Sequence, residues 1–267
     1  MSVSSASAGD AILPAGVSGE RYIAAMNARR SDRLTRQAFV ELAMSLLAPG
    51  GLILDFGAGP GIDARAYTAR GYRVCVYDTD PEMQAACERL CRDEIERGQV
   101  MLWKDDFDTF LRSTATPLAT PPDLVVANFA PLNLVDSPVE VFRAFAALTA
   151  PRGRVLASVL NPWFAGDVRY RWWWTHLAAL RRPGEFAVRG RQFTVYRRTA
   201  RFLSEAAAPY FRLDRIEPGS PAPSGFGLRP LRSLARMSSR YLFLLFSKDG
   251  SHGDGAERLS TAGGIEP

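Results

Sequence analysis

A run of alternating glycines, ILDFGAGPG at residues 53–61, is the segment of the chain best suited to hold a ligand. Gly57, Gly59 and Gly61 let the backbone turn sharply and approach a bound molecule closely, and Asp55 precedes them. A helix that begins near Ile62 points its free N–H groups at the same place. Since Ile62 stands where a dinucleotide fingerprint has its last glycine, and no Gly-Lys-Ser or Gly-Lys-Thr follows, neither that fingerprint nor a Walker loop is present.

Polar side chains also follow the next three apolar runs of the chain. Asp78 comes about twenty residues after the glycines, where a carboxylate can accept hydrogen bonds from both hydroxyls of a ribose. Asp106 and Phe107 offer a carboxylate for an exocyclic amine and a ring that stacks on adenine. Asn128 follows the fourth run, where α/β sheets hold their ligands. The spacing therefore favours a ligand that contains a nucleoside.

The elements that must position these side chains are short apolar runs separated by segments long enough for a helix. Five buried strands are predicted, at 52–56, 73–77, 100–103, 124–127 and 154–160. Strands and helices in alternation predict a parallel, doubly wound α/β sheet. Later strands at 211–217 and 241–247 extend the sheet to seven. Helices at 20–47 precede it, and Ser31 with Asp32 is predicted to cap the second of them.

Five motifs, taken in order, carry a resemblance to a known family. ILDFGAGPG, VCVYDTDPEM, KDDFD, DLVVANFAPLNL and LTAPRGRVLASV resemble the motifs of class I S-adenosylmethionine-dependent methyltransferases over about residues 51–160. The resemblance implies a Rossmann-like methyltransferase fold, with a mostly parallel seven-stranded sheet, N-terminal helices and a cap inserted between strands five and six. It implies S-adenosylmethionine as the cofactor. The chain departs from the family at Pro151-Arg152-Gly153, a turn away from the chemistry where Pro-Gly-Gly is common.

The resemblance also implies a role for each candidate cofactor residue. In the family the glycine loop takes the methionine part of the cofactor, and the acid after the second strand takes the ribose. The positions that match the methionyl part are Asp55, Gly57, Gly59, Gly61, the backbone of Asn128 and its neighbour Phe129. The positions that match the adenosyl part are Asp78 on the ribose, Thr79 and Met83 in the pocket wall, and Asp106 with Phe107 at the adenine.

The methyl acceptor must lie in line with the methyl group and the sulfur, and an acceptor atom that carries a proton can need a base. We expect the acceptor over the carboxyl ends of strands four and five, with Asn128, Phe129, Asn133 and an inserted cap at 161–199 as its walls. Tyr22 and Arg36 of the N-terminal helices are expected either to close over the cofactor or to serve helix packing and solvent contact alone.

The cap contains the candidate residues for acceptor binding and catalysis. A helix predicted at 167–182 places Trp172 and His176 on one face, and His176 is the candidate base. The alternative is that His176 is a packed or surface histidine without a catalytic role. A hairpin formed by 186–188 and 192–197 is expected to bring Tyr196 or Arg197 near the acceptor. Trp172, Tyr196 and Arg197 are therefore the candidate substrate-binding residues.

Charge is divided unevenly along the chain. Residues 151–248 carry 18 Lys and Arg against 5 Asp and Glu, whereas the rest carries 15 against 23. The basic part favours an anionic small molecule, a lipid surface or RNA as partner. The tryptophan-rich cap favours a small aromatic, isoprenoid or lipid-like acceptor. Asn128-Phe129-Ala130-Pro131 lacks the Pro-Pro motif of amino-methylating DNA enzymes, which disfavours nucleic acid. A cofactor-binding partner subunit without activity is the third alternative.

Length and composition bound the domain organisation and the compartment. The 267 residues, 47% of them hydrophobic, predict a single domain at 20–248 with flexible tails at 1–19 and 249–267. Three cysteines and two histidines make no credible zinc set, so we expect no metal and reduced, packed thiols in a cytoplasmic protein. The first residues lack the pattern of a signal peptide, and no apolar run of membrane-spanning length is found.

Overall fold

A computed structural model of the chain describes residues 19–181, 184–189, 194–219 and 236–248. Its strands are β1 (Leu52–Phe56), β2 (Arg73–Tyr77), β3 (Val100–Trp103), β4 (Leu124–Ala127), β5 (Arg154–Leu160), β6 (Glu185–Arg189), β7 (Thr194–Arg198), β8 (Phe211–Pro218) and β9 (Tyr241–Lys248). Its helices are α1 (Gly19–Ala28), α2 (Arg30–Ser45), α3 (Ile62–Thr68), α4 (Pro81–Leu90), α5 (Arg92–Glu96), α6 (Phe107–Arg112), α7 (Pro138–Leu148), α8 (Arg171–Thr175), α9 (Leu177–Arg181) and α10 (Ala200–Ala207). The predicted tails lie outside the described residues, except Gly19, which begins α1.

Seven strands form one sheet in the order β3-β2-β1-β4-β5-β9-β8. The first five run parallel, whereas β9 pairs antiparallel with both β5 and β8. Every residue of β1 and β4 is buried, as expected for central parallel strands covered on both faces. The predicted doubly wound α/β fold is confirmed, and the seven strands predicted for this sheet match the observed ones to within one residue.

Alternate residues of the strands face two hydrophobic layers. Leu54, Phe56 and Tyr77 belong to the layer that contains Phe110 of α6 and Phe142 of α7. Their neighbours Ile53, Val74 and Val76 belong to the opposite layer, which contains Phe39 of α2 and Tyr67 of α3. The sheet is therefore fixed from both sides, and the loops at its carboxyl edge rest on a rigid support.

Two details of the predicted helices are wrong. The helix α2 begins at Arg30 after the extended residue Arg29, so Ser31 and Asp32 lie inside its first turn and do not form its cap. Asp32 still complements the positive end of the helix dipole there. The single helix predicted at 167–182 is divided into a 3₁₀ turn at Ala165–Asp167 and the short helices α8 and α9, with the break at His176.

The predictions about membranes and metals concern absences, which can be examined in the described residues alone. None of the described helices combines the length and the apolar character that a membrane-spanning helix needs. The described residues also contain no group of three or more His, Cys, Asp or Glu side chains placed to hold a metal ion. All three cysteines are buried and free.

Candidate functional site

The loop between β1 and α3 has a left-handed backbone at each of its three glycines. The φ angles of Gly57, Gly59 and Gly61 are 69°, 57° and 81°. The N–H groups of Gly57 and Ala58 both donate to the Tyr77 carbonyl, at 2.8 and 3.1 Å, which draws the loop over the end of β2. A Cβ at Gly57 would lie 2.6 Å from Pro131 Cβ, so this position excludes a side chain by contact as well as by conformation.

Asp78, directly after β2, is tied to the glycine loop. Its Oδ2 accepts from the N–H of Gly59 at 2.7 Å, and its Oδ1 accepts from the N–H of Asp80 at 2.9 Å. Burial raises the pKa of the Asp78 carboxyl, and these two N–H donors oppose the rise. Thr79 is exposed beside it, and Met83 is buried in α4. The predicted ribose and adenosyl residues therefore lie together at the carboxyl edge of the sheet.

Beneath the glycine loop lies a group of charged side chains that we call the acidic cluster: Asp55, Asp63, Asp78 and Arg36. Asp63 forms an ion pair with Arg36 and accepts from Asn128 Nδ2 at 2.8 Å. Asp55 is buried, and its Oδ2 has no hydrogen-bond partner among the described residues. Burial, together with the neighbouring charge of Asp63, raises the pKa of Asp55 well above its ordinary value. Asp55 thus lies near two other acids, Asp63 and Asp78, and near the Arg36 guanidinium.

The loop after β4 holds two non-glycine residues in the left-handed region, Phe129 at φ 58° and Ala130 at φ 69°. Such strain is concentrated at functional sites and needs support from its surroundings. Asn128 Oδ1 accepts from the N–H of Phe129 at 2.9 Å, and the N–H of Ala130 donates to Ser158 of β5 at 3.0 Å. The Phe129 ring therefore has a fixed direction.

The N-terminal helices cover this edge of the sheet. The Arg36 guanidinium lies 4.6 Å from the centre of the Phe129 ring. A Cβ built on Gly59 would lie 4.0 Å from Tyr22 Cε1, and burial raises the pKa of the Tyr22 hydroxyl. The helix α1 packs on α4, where Gly19 meets Ala86 so closely that a side chain could not fit. Tyr22 thus lies at the glycine loop and Arg36 at Asp63 and Phe129, and their closure over the cofactor remains a prediction.

Asp106 and Phe107 lie at the start of α6. Asp106 is exposed and caps the helix, since its carboxylate accepts from the N–H of Thr109 at 2.9 Å and from the Thr109 hydroxyl at 2.7 Å. These bonds lower the pKa of Asp106. Phe107 is half-buried, and its ring stacks at 6.5 Å on Phe110. Contact of this pair with an adenine remains a prediction.

Asn133 links the cap to the sheet. Its Nδ2 donates to the Tyr196 carbonyl of β7 at 2.6 Å, and its Oδ1 accepts from the N–H of Leu160 at the end of β5 at 3.0 Å. Both ends of the Asn133 amide are therefore bound to backbone. The amide fixes the hairpin β6–β7 in place, and the expectation that it forms a wall for the acceptor finds no support in these bonds.

The aromatic residues of the cap pack on one another. The His176 ring stacks at 4.4 Å on Phe186 of β6, and the Trp172 ring lies 5.8 Å from the same phenyl group. His176 Nδ1 lies 2.7 Å from the Trp172 carbonyl. Trp172 and His176 thus lie on the same side of the cap, as predicted. The helix α8 nevertheless ends just before His176, and α9 begins at Leu177. Trp173 is buried, whereas Trp174 is 57% exposed.

The two arginines at the end of β7 are buried, at 2% and 0% exposure for Arg197 and Arg198. Arg197 lies 5.1 Å above the Trp172 ring and 3.3 Å from Asp167 Oδ2. Tyr196 donates through its hydroxyl to Asp136 Oδ1 at 2.7 Å. Trp172 and Arg197 therefore contact other residues of the cap, whereas Tyr196 joins the cap to the loop after β4.

The comparisons with known proteins decide the family. The model of a family described as "Methyltransferase domain" matches residues 26–199, more than half of the chain. The chain belongs to this methyltransferase family. No curated protein matches its sequence.

Solved structures similar to this methyltransferase share its fold at low sequence identity. An S-adenosylmethionine-dependent methyltransferase from Mesorhizobium loti is 17% identical, with a TM-score of 0.58 over 79% of this chain and 97% of that one. The 1,6-didemethyltoxoflavin-N1-methyltransferase of Burkholderia thailandensis is 17% identical, with a TM-score of 0.55 over 86% of each chain. The N-methyltransferase NodS of Bradyrhizobium japonicum is 14% identical, with a TM-score of 0.50 over 81% and 96%. The predicted class I methyltransferase fold and family are confirmed.

Four residues of this methyltransferase site escaped the sequence analysis. Asp63, Asp167, Arg198 and Tyr241 are all buried, and each contacts or faces a residue of the site. Asp63 is the one with a local signal, because a charged residue so soon after a buried glycine loop needs a partner. The other three come together through contacts between distant segments of the chain, which spacing alone does not reveal.

Proposed function

We propose that this methyltransferase transfers the methyl group of S-adenosylmethionine to an oxygen, nitrogen or carbon atom of a small aromatic, lipid-like or anionic molecule. The observation that carries the proposal is the position of the acidic cluster, under a left-handed glycine loop and beside a cap lined by aromatic and arginine side chains. The first feature suits the cofactor, and the second suits the acceptor.

The acidic cluster fits a cationic ligand. Asp55 Oδ2 is a buried acceptor without a partner among the described residues, and the charge of one guanidinium does not balance three carboxylates. Buried charge without compensation is costly, and a ligand that brings an ammonium and a sulfonium charge supplies the compensation. The glycine loop leaves room for such a ligand because Gly59 has nothing but Tyr22 within 4.0 Å of the place where a Cβ would be.

Each cofactor residue then has a role that the observed geometry allows. Asp55, Gly57, Gly59, Gly61 and the backbone of Asn128 bind the methionyl part. The carboxylate of Asp78, held by two N–H donors, binds the ribose hydroxyls. The remaining candidates line the adenosyl side or separate it from the acceptor: Thr79, Met83, Asp106, Phe107 and Phe129. When bound, S-adenosylmethionine supplies an electrophilic methyl group on an excellent leaving group.

The chain's own part in methyl transfer is alignment, water exclusion and, for a protonated acceptor, removal of a proton. Trp172, Tyr196 and Arg197 bind the acceptor on the cap side, and Phe129 faces it from the sheet. His176 is the candidate base. Its Nδ1 lies 2.7 Å from the Trp172 carbonyl, so Nε2 is the ring nitrogen left to take the acceptor's proton. The structure of the Burkholderia thailandensis enzyme holds 1,6-didemethyltoxoflavin and S-adenosylhomocysteine, in keeping with a small-molecule acceptor here.

One labelling experiment tests this function against its alternatives. The protein is incubated with S-adenosylmethionine carrying a labelled methyl group, and with either total RNA or an extract of lipids and small metabolites. We expect label in the small-molecule fraction. Label in RNA alone would instead support a nucleic-acid acceptor, for which the arginine excess is the argument. Cofactor binding without any transfer would indicate a partner subunit without activity.

The role of His176 is tested in the same assay. If its Nε2 takes the acceptor proton, His176→Ala lowers the turnover rate by about a hundredfold or more and leaves the affinity for S-adenosylmethionine unchanged. A turnover rate close to that of the wild type removes the base assignment and leaves His176 as a packing residue on Phe186.

A further inference from the structure

Arg197 and Arg198 are neighbours in β7 and equally buried, but their hydrogen-bond donors are used differently. Arg198 donates through Nε to Glu185, through Nη1 to the carbonyls of Leu132 and Val135, and through Nη2 to the carbonyl of Asp136. All four bonds measure 2.7 or 2.8 Å. Protein acceptors therefore saturate Arg198, which anchors the cap hairpin to the loop after β4.

Arg197 is incompletely partnered in comparison. Its Nη1 lies 3.3 Å from Asp167 Oδ2 and 3.4 Å from the Asn161 carbonyl, both long for a charge-assisted bond. Its Nε, and also the Nε1 of Trp172, are buried and have no acceptor among the described residues. Native proteins pair nearly all of their buried donors, so two such donors in one place point to an acceptor brought by a ligand. The guanidinium lies 5.1 Å from the centre of the Trp172 ring, so the two donors belong to one small region.

The charges around these donors favour an anion. We call Asp167, Arg197, Arg240 and Arg169 the arginine cluster. Burial raises the pKa of Asp167, and the charges of Arg197, Arg240 and Arg169 lower it. One carboxylate thus lies in the field of three guanidiniums. A second carboxylate or an acidic enol or phenol oxygen would reduce this imbalance, whereas a neutral acceptor would leave it.

The arginine cluster and the edge of the glycine-loop site share a neighbour, Tyr241. The Tyr241 ring is buried and packs edge to face on Phe129, with the ring centres 5.4 Å apart. Burial raises the pKa of the Tyr241 hydroxyl, and the charges of Arg240 and Arg197 oppose the rise. Since Phe129 also stacks under Arg36, Tyr241 connects the arginine cluster to the edge of the glycine-loop site.

We propose that Arg197 and Trp172 bind an oxyanion of the methyl acceptor, which is therefore a planar acid. The oxyanion accepts from Arg197 Nε and Trp172 Nε1, and the acceptor's ring lies along the aromatic side chains of the cap. This inference rests on the function proposed above, because it describes the acceptor of the same site. Asp167 positions Arg197, and Arg198 holds the strand on which Arg197 lies.

Nuclear magnetic resonance of the protein loaded with S-adenosylhomocysteine tests the proposal. The probes are benzoate, salicylate, 4-hydroxybenzoate and indole-3-carboxylate, each compared with its uncharged amide. We expect at least one acid to bind about tenfold more tightly than its amide and to shift the signals of Trp172 Nε1–H and Arg197 Nε–H. Trp172→Phe keeps an aromatic ring at this position and removes the N–H donor. It therefore identifies the indole signal, and it should weaken binding of that acid about fivefold.

Two arginine variants separate the proposed contact from the general charge of the cap. Arg197→Gln should weaken binding of the preferred acid about tenfold or more and abolish its advantage over the amide. Arg171→Gln, an exposed arginine at the start of α8 and outside the arginine cluster, should change the affinity by no more than about twofold. Arg197→Lys keeps the charge and alters the donors, and should fall between them. The affinity for S-adenosylhomocysteine, unchanged in all of these variants, verifies that they fold.

The results that overturn the proposal differ from those that overturn the proposed function. Equal binding of acids and amides, binding of no acid at all, or full acid affinity in Arg197→Gln would each refute the oxyanion site while leaving methyl transfer intact. Failure of the wild-type protein to bind S-adenosylhomocysteine would refute the cofactor assignment itself, before any acid is added.

Discussion

The acidic cluster under the glycine loop and the arginine cluster of the cap have opposite charge balances. In the first, the carboxylates of Asp55, Asp63 and Asp78 face the Arg36 guanidinium. In the second, Asp167 lies in the field of three arginines. The same asymmetry is present along the chain. Residues 151–248 carry 18 basic and 5 acidic side chains, whereas the rest carries 15 basic and 23 acidic ones. The uneven charge along the chain is thus reproduced in the two clusters.

Both clusters contain buried polar atoms without a hydrogen-bond partner among the described residues. In the acidic cluster Asp55 Oδ2 is a buried acceptor without a partner among the described residues. In the cap the donors Arg197 Nε and Trp172 Nε1 lack an acceptor, and Asp167 Oδ2, 3.3 Å from Arg197 Nη1, has no hydrogen bond either. A protein without ligand loses stability by burying charge and polar atoms that it does not pair. Each cluster thus favours a ligand of the opposite sign, a cation at the glycine loop and an anion in the cap. We propose that the opposite charge balances of the two clusters distinguish the site of the cationic cofactor from the site of the methyl acceptor.

The largest expected effect concerns Asp78. Asp78→Ala removes a carboxylate that we assign to two ribose hydroxyls and that also holds the N–H of Gly59. Two charge-assisted bonds are together worth about 3 kcal/mol or more, so calorimetry should find S-adenosylhomocysteine affinity reduced by roughly a hundredfold. Asp108→Ala, an exposed acid on α6, should leave the affinity unchanged. If Asp78→Ala bound S-adenosylhomocysteine as tightly as the wild type, the ribose assignment would be wrong. The acidic cluster would then be a weaker candidate for the site of a cationic ligand.

The next effect distinguishes the two arginines by stability. Arg198→Gln leaves the carbonyls of Leu132, Val135 and Asp136 without their donor, so we expect the free energy of unfolding to fall by about 3 kcal/mol or more. Arg197→Gln should cost clearly less, because its bonds are long and its Nε is unpaired. Urea denaturation followed by circular dichroism measures both. If the two variants were equally destabilised, Arg197 would be as structural as Arg198 and the arginine cluster would lose its assigned role.

The sheet and the cofactor edge were predictable from the sequence because both depend on local order. Buried strands appear as short apolar runs, and the left-handed turns at Gly57, Gly59 and Gly61 need a residue type that the chain displays openly. Parallel strands bring their carboxyl ends to one edge, so Asp55 and Asp78 had to lie close together.

The cap was predictable only in outline, since its structure depends on contacts between distant residues. Nothing near Asn133 indicates that its amide would join β5 to β7, and the two buried arginines look alike in the sequence. The helix predicted at 167–182 fails at His176, whose ring bonds the Trp172 carbonyl of the preceding turn. The strain at Phe129 and Ala130 also escapes pattern analysis, because it is imposed by Asn128 and Ser158 and not by a glycine.

The smallest expected effect tests the acidic cluster without any ligand. Burial and Asp63 raise the pKa of Asp55 above its value in the unfolded chain, near 3.8, so the folded protein holds this proton more tightly. The stability that this proton confers is complete at low pH and is lost as the pH rises from about 4 towards the raised pKa. Asp55→Asn removes the titration, so thermal unfolding at pH 4.5 to 8 should give the variant a flatter profile. The free energy of unfolding of Asp55→Asn should exceed that of the wild type by about 1 kcal/mol at pH 8.

Binding of the cofactor should reverse this dependence of the wild-type protein's stability on pH. A cationic cofactor beside Asp55 favours its carboxylate, so S-adenosylmethionine should stabilise the wild-type protein increasingly as the pH rises. It should stabilise Asp55→Asn less and with a weaker dependence on pH, which comes from Asp78. Glu41→Gln, an exposed acid on α2, serves as the control and should follow the wild type in both series. Parallel profiles for wild type and Asp55→Asn would mean that Asp55 is already balanced by Arg36. The acidic cluster would then be balanced by its own ion pairs, and of the two clusters the arginine cluster alone would favour a charged ligand.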